Sequence, residues 1–329
     1  MNSPSTGSAG PSAHDYAGES PAAVAKRLFN ATRPKFFPAS VLPVVAGTAW
    51  GVNAGTGFDA LVFVLALLAT VCVHAGANVL NDVGDDAIGT DPINDDRIYP
   101  YTGGSRFIQA GILSSSAMAR LGITLLVVAA VAGVFLILAK GAVVFWLGVA
   151  GVLLAVLYSL GPARLSGLGL GELAVGVAFG VLPVCGAAWL QSGIVDASAV
   201  VFALPISIWV ANILLINEVP DIRADAASGK RTLPVRLGPS ATAIIYVAAN
   251  AVALAATAWL SWQGSLPLLA PAVPAALLLL ALRASPAIRS GIADRAGLTK
   301  SIESTLAIHT VGSLWLAACA LYPALFAAG

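Results

Sequence analysis

Apolar stretches of about 20 residues recur along the chain, separated by short polar segments. Nine can be read, at roughly 37–55, 60–80, 118–138, 141–160, 170–190, 198–216, 240–261, 266–283 and 303–326. Each is long enough, as a helix rising about 1.5 Å per residue, to cross a hydrocarbon core of about 30 Å. The pattern predicts an all-α polytopic membrane protein, with nine transmembrane helices around a central cavity. Residues 1–25 are rich in Ser, Ala, Gly and Pro and hold no apolar core. They are expected to form a disordered polar tail rather than a cleaved signal peptide, leaving 26–329 as the nine-helix domain.

Composition strengthens this reading. Of the 329 residues 58% are hydrophobic and only 10% charged, against about 25% charged in soluble domains. Most of the surface therefore faces something other than water. With nine spans and a cytoplasmic N-terminus, 16 of the 17 Lys and Arg residues fall on the cytoplasmic side. Only Lys140, in a tight turn between the third and fourth spans, falls opposite. The positive-inside rule demands such a bias, so the N-terminus is expected inside and the C-terminus outside. Cys72, Cys185 and Cys319 lie singly in predicted spans and read as buried packing rather than ligands. A soluble nucleotide enzyme is excluded: there is no G-x-x-x-x-G-K-[ST] loop, and G-L-G-L-G-E at 167–172 lacks the third Gly of a dinucleotide fingerprint. No nucleic-acid partner is expected. G-x-x-x-G patterns at 51–55 and 176–180 suit close helix packing without establishing a dimer.

The acids carry the chemistry. Of 16, nine lie in two cytoplasmic stretches. N-V-L-N-D-V-G-D-D-A-I-G-T-D at 78–91, with Asp95 and Asp96 just beyond, follows the second span; N-E-V-P-D-I-R-A-D at 217–225 follows the sixth. Asn81 and Asn217 are 136 residues apart, as are Asp82 and Glu218, and Asp85 and Asp221. That constant offset suggests two related halves, each presenting acids at the cytoplasmic end of a helix. Asn78, Asn81, Asp82 and Asp85 share one helix face, and Asn217, Asp221 and Asp225 are expected to continue at four-residue intervals on a second helix.

Like charges one turn apart repel, so something positive must offset them. Hard divalent cations prefer carboxylate and amide oxygens, and magnesium typically takes one or two carboxylates with substrate phosphates and water. Two such faces opposed across a cavity suit a diphosphate held through bridging metals. The plain alternative, solvated acids at helix ends, fits two matching clusters interleaved with basic residues poorly. Arg97 and Arg106 follow the first cluster; Lys230, Arg231 and Arg236 follow the second. Arg suits bidentate phosphate contacts and Lys a compact charge on a leaving group. Positive-inside bias alone accounts for Arg283, Arg289, Arg295 and Lys300, whereas Arg106 and Lys230 adjoin the acids.

N-D-x-x-D followed by G-T-D (Asn81 to Asp91), with N-x-x-x-D-x-x-x-D-x-x-x-G-K-R-T-L (Asn217 to Leu233), resembles the UbiA superfamily of intramembrane prenyltransferases across nearly the whole chain after residue 25. R-P-K-F-F-P-A-S at 33–40, S-L-G-P-A-R-L at 159–165, G-L-G-E-L at 169–173 and K-R-T-L-P-V-R-L-G at 230–238 are similar to its dihydroxynaphthoate branch in menaquinone synthesis. The resemblance implies Mg2+-dependent transfer of a polyprenyl group from its diphosphate to an aromatic acceptor, dihydroxynaphthoate in this branch, at the cytoplasmic face of a cell membrane. It makes Asp82, Asp85, Asp221 and Asp225 catalytic, and adds Asn78, Asn81 and Asn217 to them as metal ligands. Arg106 and Lys230, with Arg97 and Arg231, would bind diphosphate.

Tyr158 and Arg164, flanking the turn after the fourth span, and Glu172, at the start of the fifth, are acceptor-pocket candidates. Each also has a structural reading, as a cap or a helix-terminus charge. One position departs from the family pattern: Gly89 stands where many members carry an acid, which leaves Asp86 or Asp91 to substitute. Arg33 and Lys35 would reach the diphosphate or, by preference, anchor the first span at the headgroups. His74 reads as a satisfied helix histidine rather than a base. The competing readings are another acceptor within the same chemistry (hydroxybenzoate, homogentisate, a chlorin, haem or a lipid) or a cation-coupled secondary transporter. Acids confined to one membrane face, with no acid on a broken helix at midplane, count against the transporter.

Overall fold

The computed structural model describes residues 10–55, 57–89, 93–159 and 165–326, and among them every regular element is helical. In chain order these are Pro21–Ala31 (α1), Pro38–Ala54 (α2), Ala60–Ala87 (α3), Ser115–Lys140 (α4), Ala142–Ser159 (α5) and Gly171–Gly176 (α6). Leu182–Ser192 (α7), Ala197–Asn217 (α8), Ile222–Ala227 (α9), Leu233–Trp262 (α10), Ala272–Ser290 (α11) and Arg295–Phe326 (α12) follow. A π turn at Val177–Val181 joins α6 to α7 as one rod.

Polar caps mark where apolar runs begin. The side chains of Asp59, Ser114 and Asp196 accept from Val62, Ala117 and Ala199 N–H at 3.1, 3.2 and 2.8 Å, opening α3, α4 and α8. Among the described residues, seven segments are long and apolar enough to cross a membrane; one of them, Ala272–Tyr322, comprises α11 and most of α12, and Ala142–Ala155 is a shorter apolar helix. Helices are the form such a solvent imposes, since each satisfies its own backbone polar groups.

Burial separates centre from periphery. In α8, 67% of the apolar window is buried, against 22% in α4. Trp209, Phe202 and Ile206 of α8 pack with Tyr246 of α10, Ile288 of α11 and Ile308 of α12 in the largest core cluster. On α4 and α5, by contrast, Ile123, Val127, Val134, Phe135 and Trp146 are exposed. A soluble protein rarely leaves so large an apolar face uncovered; here it is a lipid-facing wall.

The polar residues sort to two opposite ends. At one, Lys140 at the end of α4 lies 3.3 Å from Asp59 before α3, and Gln191 near the end of α7 exchanges hydrogen bonds with the Asp59 backbone at 2.8 and 3.2 Å. The other end holds the acids.

Four boundaries differ from the sequence reading. α3 runs to Ala87, so its 28 residues reach about 42 Å, beyond the hydrocarbon core; the final turns carry Asn81, Asp82 and Asp85 clear of it. α11 starts at Ala272 rather than near 266, with Pro271 as its N-cap, a position where a missing N–H breaks no intrahelical bond. The expected single helix through Asn217, Asp221 and Asp225 is broken: α8 stops at Asn217, a turn covers Glu218–Asp221, and α9 carries Asp225. Pro220 explains it, lacking an N–H and clashing with the carbonyl four residues back. Finally, Ala13–Tyr16 form a 3-10 turn whose Tyr16 ring meets Phe107 edge-on at 4.8 Å, and α1 begins at Pro21, so the boundary drawn at residue 25 falls inside α1.

The small-residue patterns work within the chain. A Cβ on Gly47 or Gly51 of α2 would fall 2.1 or 2.3 Å from the carbonyl oxygens of Val184 or Ala188 on α7, and one on Gly180 would fall 2.1 Å from Ser207 Oγ on α8. These glycines let backbones approach where no side chain fits. Gly51→Leu should therefore lower the apparent Tm in detergent, by the equivalent of about 1–3 kcal/mol or more. Gly133→Leu, with open space around Gly133, should leave the thermal unfolding curve unmoved.

Candidate active site

α3 places its acids at the end of the bundle opposite Lys140 and Asp59, and three other segments meet them there. Asp82, only 2% exposed, pairs with the Arg33 guanidinium between α1 and α2 and accepts from Ser105 N–H at 3.0 Å. One turn on, Asp85 accepts from Asn81 at 2.8 Å and from Lys230 Nζ at 2.6 Å. The same ammonium lies 3.8 Å from Asp225 Oδ1. Lys230 thus ties the two acidic motifs together across 145 residues of chain. Asp221 is held by the segment between α3 and α4: Asn94 Nδ2 donates to it at 2.8 Å, and Thr102 and Gly103 N–H add further bonds.

That segment is shaped by backbone torsion. Gly103 and Gly104 have φ of 72° and 77°, and Arg106 holds φ of 65° without being glycine. A left-handed arginine costs energy that the surroundings must sustain, and such residues cluster at functional sites. Gly103 is required twice, since a Cβ there would also stand 2.8 Å from Arg97 Cβ. Beside the segment a cleft of about 220 Å³ opens, lined by Asn94, Asp95, Asp96 and Arg223 among others.

Around Lys230 the charge balance is strained toward the acids. The Tyr158 phenol lies within electrostatic reach of Glu218, Asp85, Glu172 and Asp225. Glu172, in the first turn of α6, shares a hydrogen bond with Glu218, and Glu172 Oε1 and Glu218 Oε2 are buried without a partner. Burial pushes the Glu218 carboxyl well above the ordinary carboxylate range, and the charges of Glu172, Asp225 and Asp221 push the same way. Burial likewise raises Asp221, against the hydrogen bonds from Asn94, Thr102 and Gly103 and the Lys230 charge. Asn217 Oδ1 is also buried with no hydrogen-bond partner. Among the described residues, no three His, Cys, Asp or Glu side chains already stand in metal-binding geometry. Arg33 and Lys230 stand between the carboxylates instead.

Several sequence candidates sit elsewhere. Asn78 donates to Thr32 O at 3.1 Å, tying α3 to the end of α1. Arg97 donates to Asn94 O at 2.8 Å, while its own carbonyl takes Arg295. Arg231 is exposed; its N–H bonds Gly167 O at 3.0 Å. Asp86, one substitute for the acid missing at Gly89, is bound by Gln109 at 2.8 Å. The other, Asp91, lies outside the described residues, as does Arg164. Neither Arg33 nor Lys35 anchors at headgroups: Arg33 pairs with Asp82, and Lys35 Nζ is buried within the protein. His74 is buried and bonds Ser40 Oγ at 3.0 Å, a satisfied helix histidine. Sequence reasoning missed Asn94 and Thr102, because nothing in local spacing joins Asn94 to an aspartate 127 residues away. Glu218 was visible only as the counterpart of Asp82 in the repeated motif.

The UbiA prenyltransferase family profile matches residues 40–297. The 1,4-dihydroxy-2-naphthoate octaprenyltransferase of Mycobacterium leprae is 32% identical over 308 residues, covering 88% of this chain and 96% of that protein. The enzyme of the same description from Haemophilus influenzae is 34% identical over 221 residues, covering 65% of this chain and 70% of its own. Among solved structures, a UbiA homologue from Archaeoglobus fulgidus bound to DMAPP and Mg2+ superposes with a TM-score of 0.62 at 16% identity, covering 89% of this chain and 99% of that one.

Arg33→Met would leave the buried Asp82 carboxylate without its guanidinium. In detergent with a chelator present, thermal unfolding should report a loss of about 3–5 kcal/mol, the usual cost of stranding a buried charge. Adding Asp82→Asn to the same chain should recover part of that loss, a coupling read from the double-mutant cycle.

Proposed function

The chain belongs to the UbiA prenyltransferase family and is an integral membrane prenyltransferase; on that premise we propose that it transfers a polyprenyl group from its diphosphate to dihydroxynaphthoate with the aid of Mg2+. The chemistry rests on the convergence of Asp85, Asp225 and Lys230 from opposite parts of the sequence. The acceptor rests on the relatives described as dihydroxynaphthoate octaprenyltransferases at 32–34% identity.

The residues suit a hard divalent cation. The donors are all oxygens, Asn217 Oδ1 is buried and unpartnered, and the carboxylates outnumber the cations that bridge them. Asp82, Asp85, Asp221 and Asp225, with Asn81 and Asn217, would hold the metal ions. Bound there, Mg2+ would neutralise diphosphate oxygens and ease the build-up of charge on the leaving group. Lys230 is poised to exchange a carboxylate for a diphosphate oxygen, and Arg106 stands on the neighbouring segment as a second cation for the same group. The allylic C–O bond breaks, its electron pair leaving on the diphosphate. The electron-rich ring carbon that bears the carboxylate attacks the allylic cation, and breaking of its bond to the carboxylate returns that electron pair to the ring and releases CO2. Tyr158 and Glu172, both within reach of Glu218, would border the acceptor.

Orientation belongs to the same reading. Nine spans, with the N-terminus and the site at the cytoplasmic face, agree with 16 of 17 basic residues on one side and with Lys140, Asp59 and Gln191 gathered at the opposite end. The apolar wall of α3 and α4, with a groove of about 240 Å³ lined by Leu65, Leu68, Val127 and Phe135 among others, offers the prenyl tail or lipid chains a matching solvent.

The test is transfer of a radiolabelled polyprenyl diphosphate by the solubilised protein, with a panel of naphthoate, hydroxybenzoate and homogentisate acceptors. Naphthoate should be preferred, and a chelator should stop the reaction until Mg2+ is restored. Asp85→Ala and Asp221→Ala should each cut turnover by at least about 100-fold while the protein stays in the membrane. Near-normal activity in either variant would remove these carboxylates from the mechanism.

A further inference from the structure

Lys35 is a buried cation that the mechanism above does not use. It lies in the 3-10 turn Pro34–Phe36, immediately after Arg33, which enters the turn with φ of 58° and pairs with Asp82. Its Nζ is shielded from solvent and makes no hydrogen bond. Three aromatic rings surround it instead: the ammonium is 4.6 Å from the Tyr101 ring centroid, 5.5 Å from Phe36 and 5.8 Å from Tyr99. Tyr101 is held in place by its hydroxyl, which donates to Glu303 Oε1 at 3.1 Å. Tyr99 and Tyr101 belong to the segment whose Asn94, Gly103 and Ser105 grip Asp221 and Asp82. The box therefore adjoins the acid clusters on both of its sides.

Ring faces attract an ammonium, but they return only part of the hydration it gave up. An anion is the missing partner, and the walls say which kind. Phe36 is buried, while Tyr99 and Tyr101 are half-buried, so the two tyrosines are the walls that reach toward solvent. A flat aromatic acid would lay its ring against these faces and its carboxylate on Nζ. A diphosphate offers no face to them, and Lys230 already stands on the acids.

We propose that Lys35, within the Phe36–Tyr99–Tyr101 box, is the residue that selects an acceptor bearing a ring carboxylate. This rests on the prenyl-transfer reading for its site but makes a claim of its own, about which acceptors bind. The group acts by binding and orienting: it forms no covalent bond, and the carboxylate it holds marks which ring carbon faces the allylic cation.

The test uses the full chain in detergent and two probes that differ in the carboxyl group, 1-hydroxy-2-naphthoate and 1-naphthol, with binding followed by calorimetry. The unsubstituted chain should favour the naphthoate. Lys35→Met should weaken naphthoate binding by about 10- to 100-fold, the range of a lost charge-assisted hydrogen bond, and erase the preference over naphthol. Lys35→Arg should retain much of it. In turnover, Lys35→Met should raise KM for 1,4-dihydroxy-2-naphthoate far more than KM for the polyprenyl diphosphate. The proposal is overturned if Lys35→Met raises the diphosphate KM instead, weakens both probes equally, or changes neither. Lys35-dependent naphthoate binding in a chain that transfers no prenyl group to any acceptor would support the box while sinking the transfer reading. Transfer to naphthoate that ignores Lys35→Met would do the reverse.

Discussion

The acidic end of this bundle is built on one interaction, the bridge from Lys230 to Asp85 and Asp225. Carboxylates brought this close repel, and at the edge of a membrane little water is available to screen them. One ammonium reaching both motifs lets helix α3 and the α8–α9 corner converge. Arg33 does the same for Asp82, and Asn94, Thr102 and Gly103 do it with neutral hydrogen bonds for Asp221. The compensation is incomplete: Glu172, Glu218 and Asn217 keep buried oxygens without partners, and burial keeps the Glu218 carboxyl above its ordinary range. An end of the fold left short of positive charge is one that gains by taking in cations.

Delivering acids to that position needs a scaffold with unequal halves. α3 is longer than the hydrocarbon core is thick, so its last turns emerge with the acids still in helical register. In the second half Pro220 stops α8 first, and the acids are handed to a turn and a short helix. The break swings Asp225 toward Lys230, whose own N–H returns to Asp225 O at 2.9 Å. Further out, Gly47 and Gly51 press α2 onto α7, and Gly180 presses the π turn onto α8, giving the rigid packing against which charged groups can be held. The lipid-facing α4 and α5 need no such precision, and several of their glycines, such as Gly133 and Gly148, stand in open space.

Cations at this end divide by environment. Lys230 and Arg33 lie on acids. Arg97 is drawn into its own loop, and Arg231 stays in the open. Lys35 is the contrast, an ammonium enclosed by rings rather than by carboxylates. A single turn of chain, from Arg33 to Phe36, contributes to both kinds of environment.

Much of this was legible in the residues. The apolar runs located the long helices, with ends that differ by up to about eight residues, as at Arg295 for a run read from 303. The repeated Asn-acid-x-x-Asp picked out acids that the structure brings to one cation, Asp85 and Asp225 on Lys230. These are properties of local spacing and composition, which survive whatever the chain's path. Local rules also contained the Pro220 break and the proline that opens α11, but periodicity outweighed them when the segments were drawn. What only the tertiary structure decided is who partners whom: Asn94 with Asp221, Arg33 with Asp82, Lys35 with its rings. Such pairs join positions as much as 127 residues apart. They depend on how the segment between α3 and α4 folds back over the helix ends, and no periodicity along the chain encodes that closure.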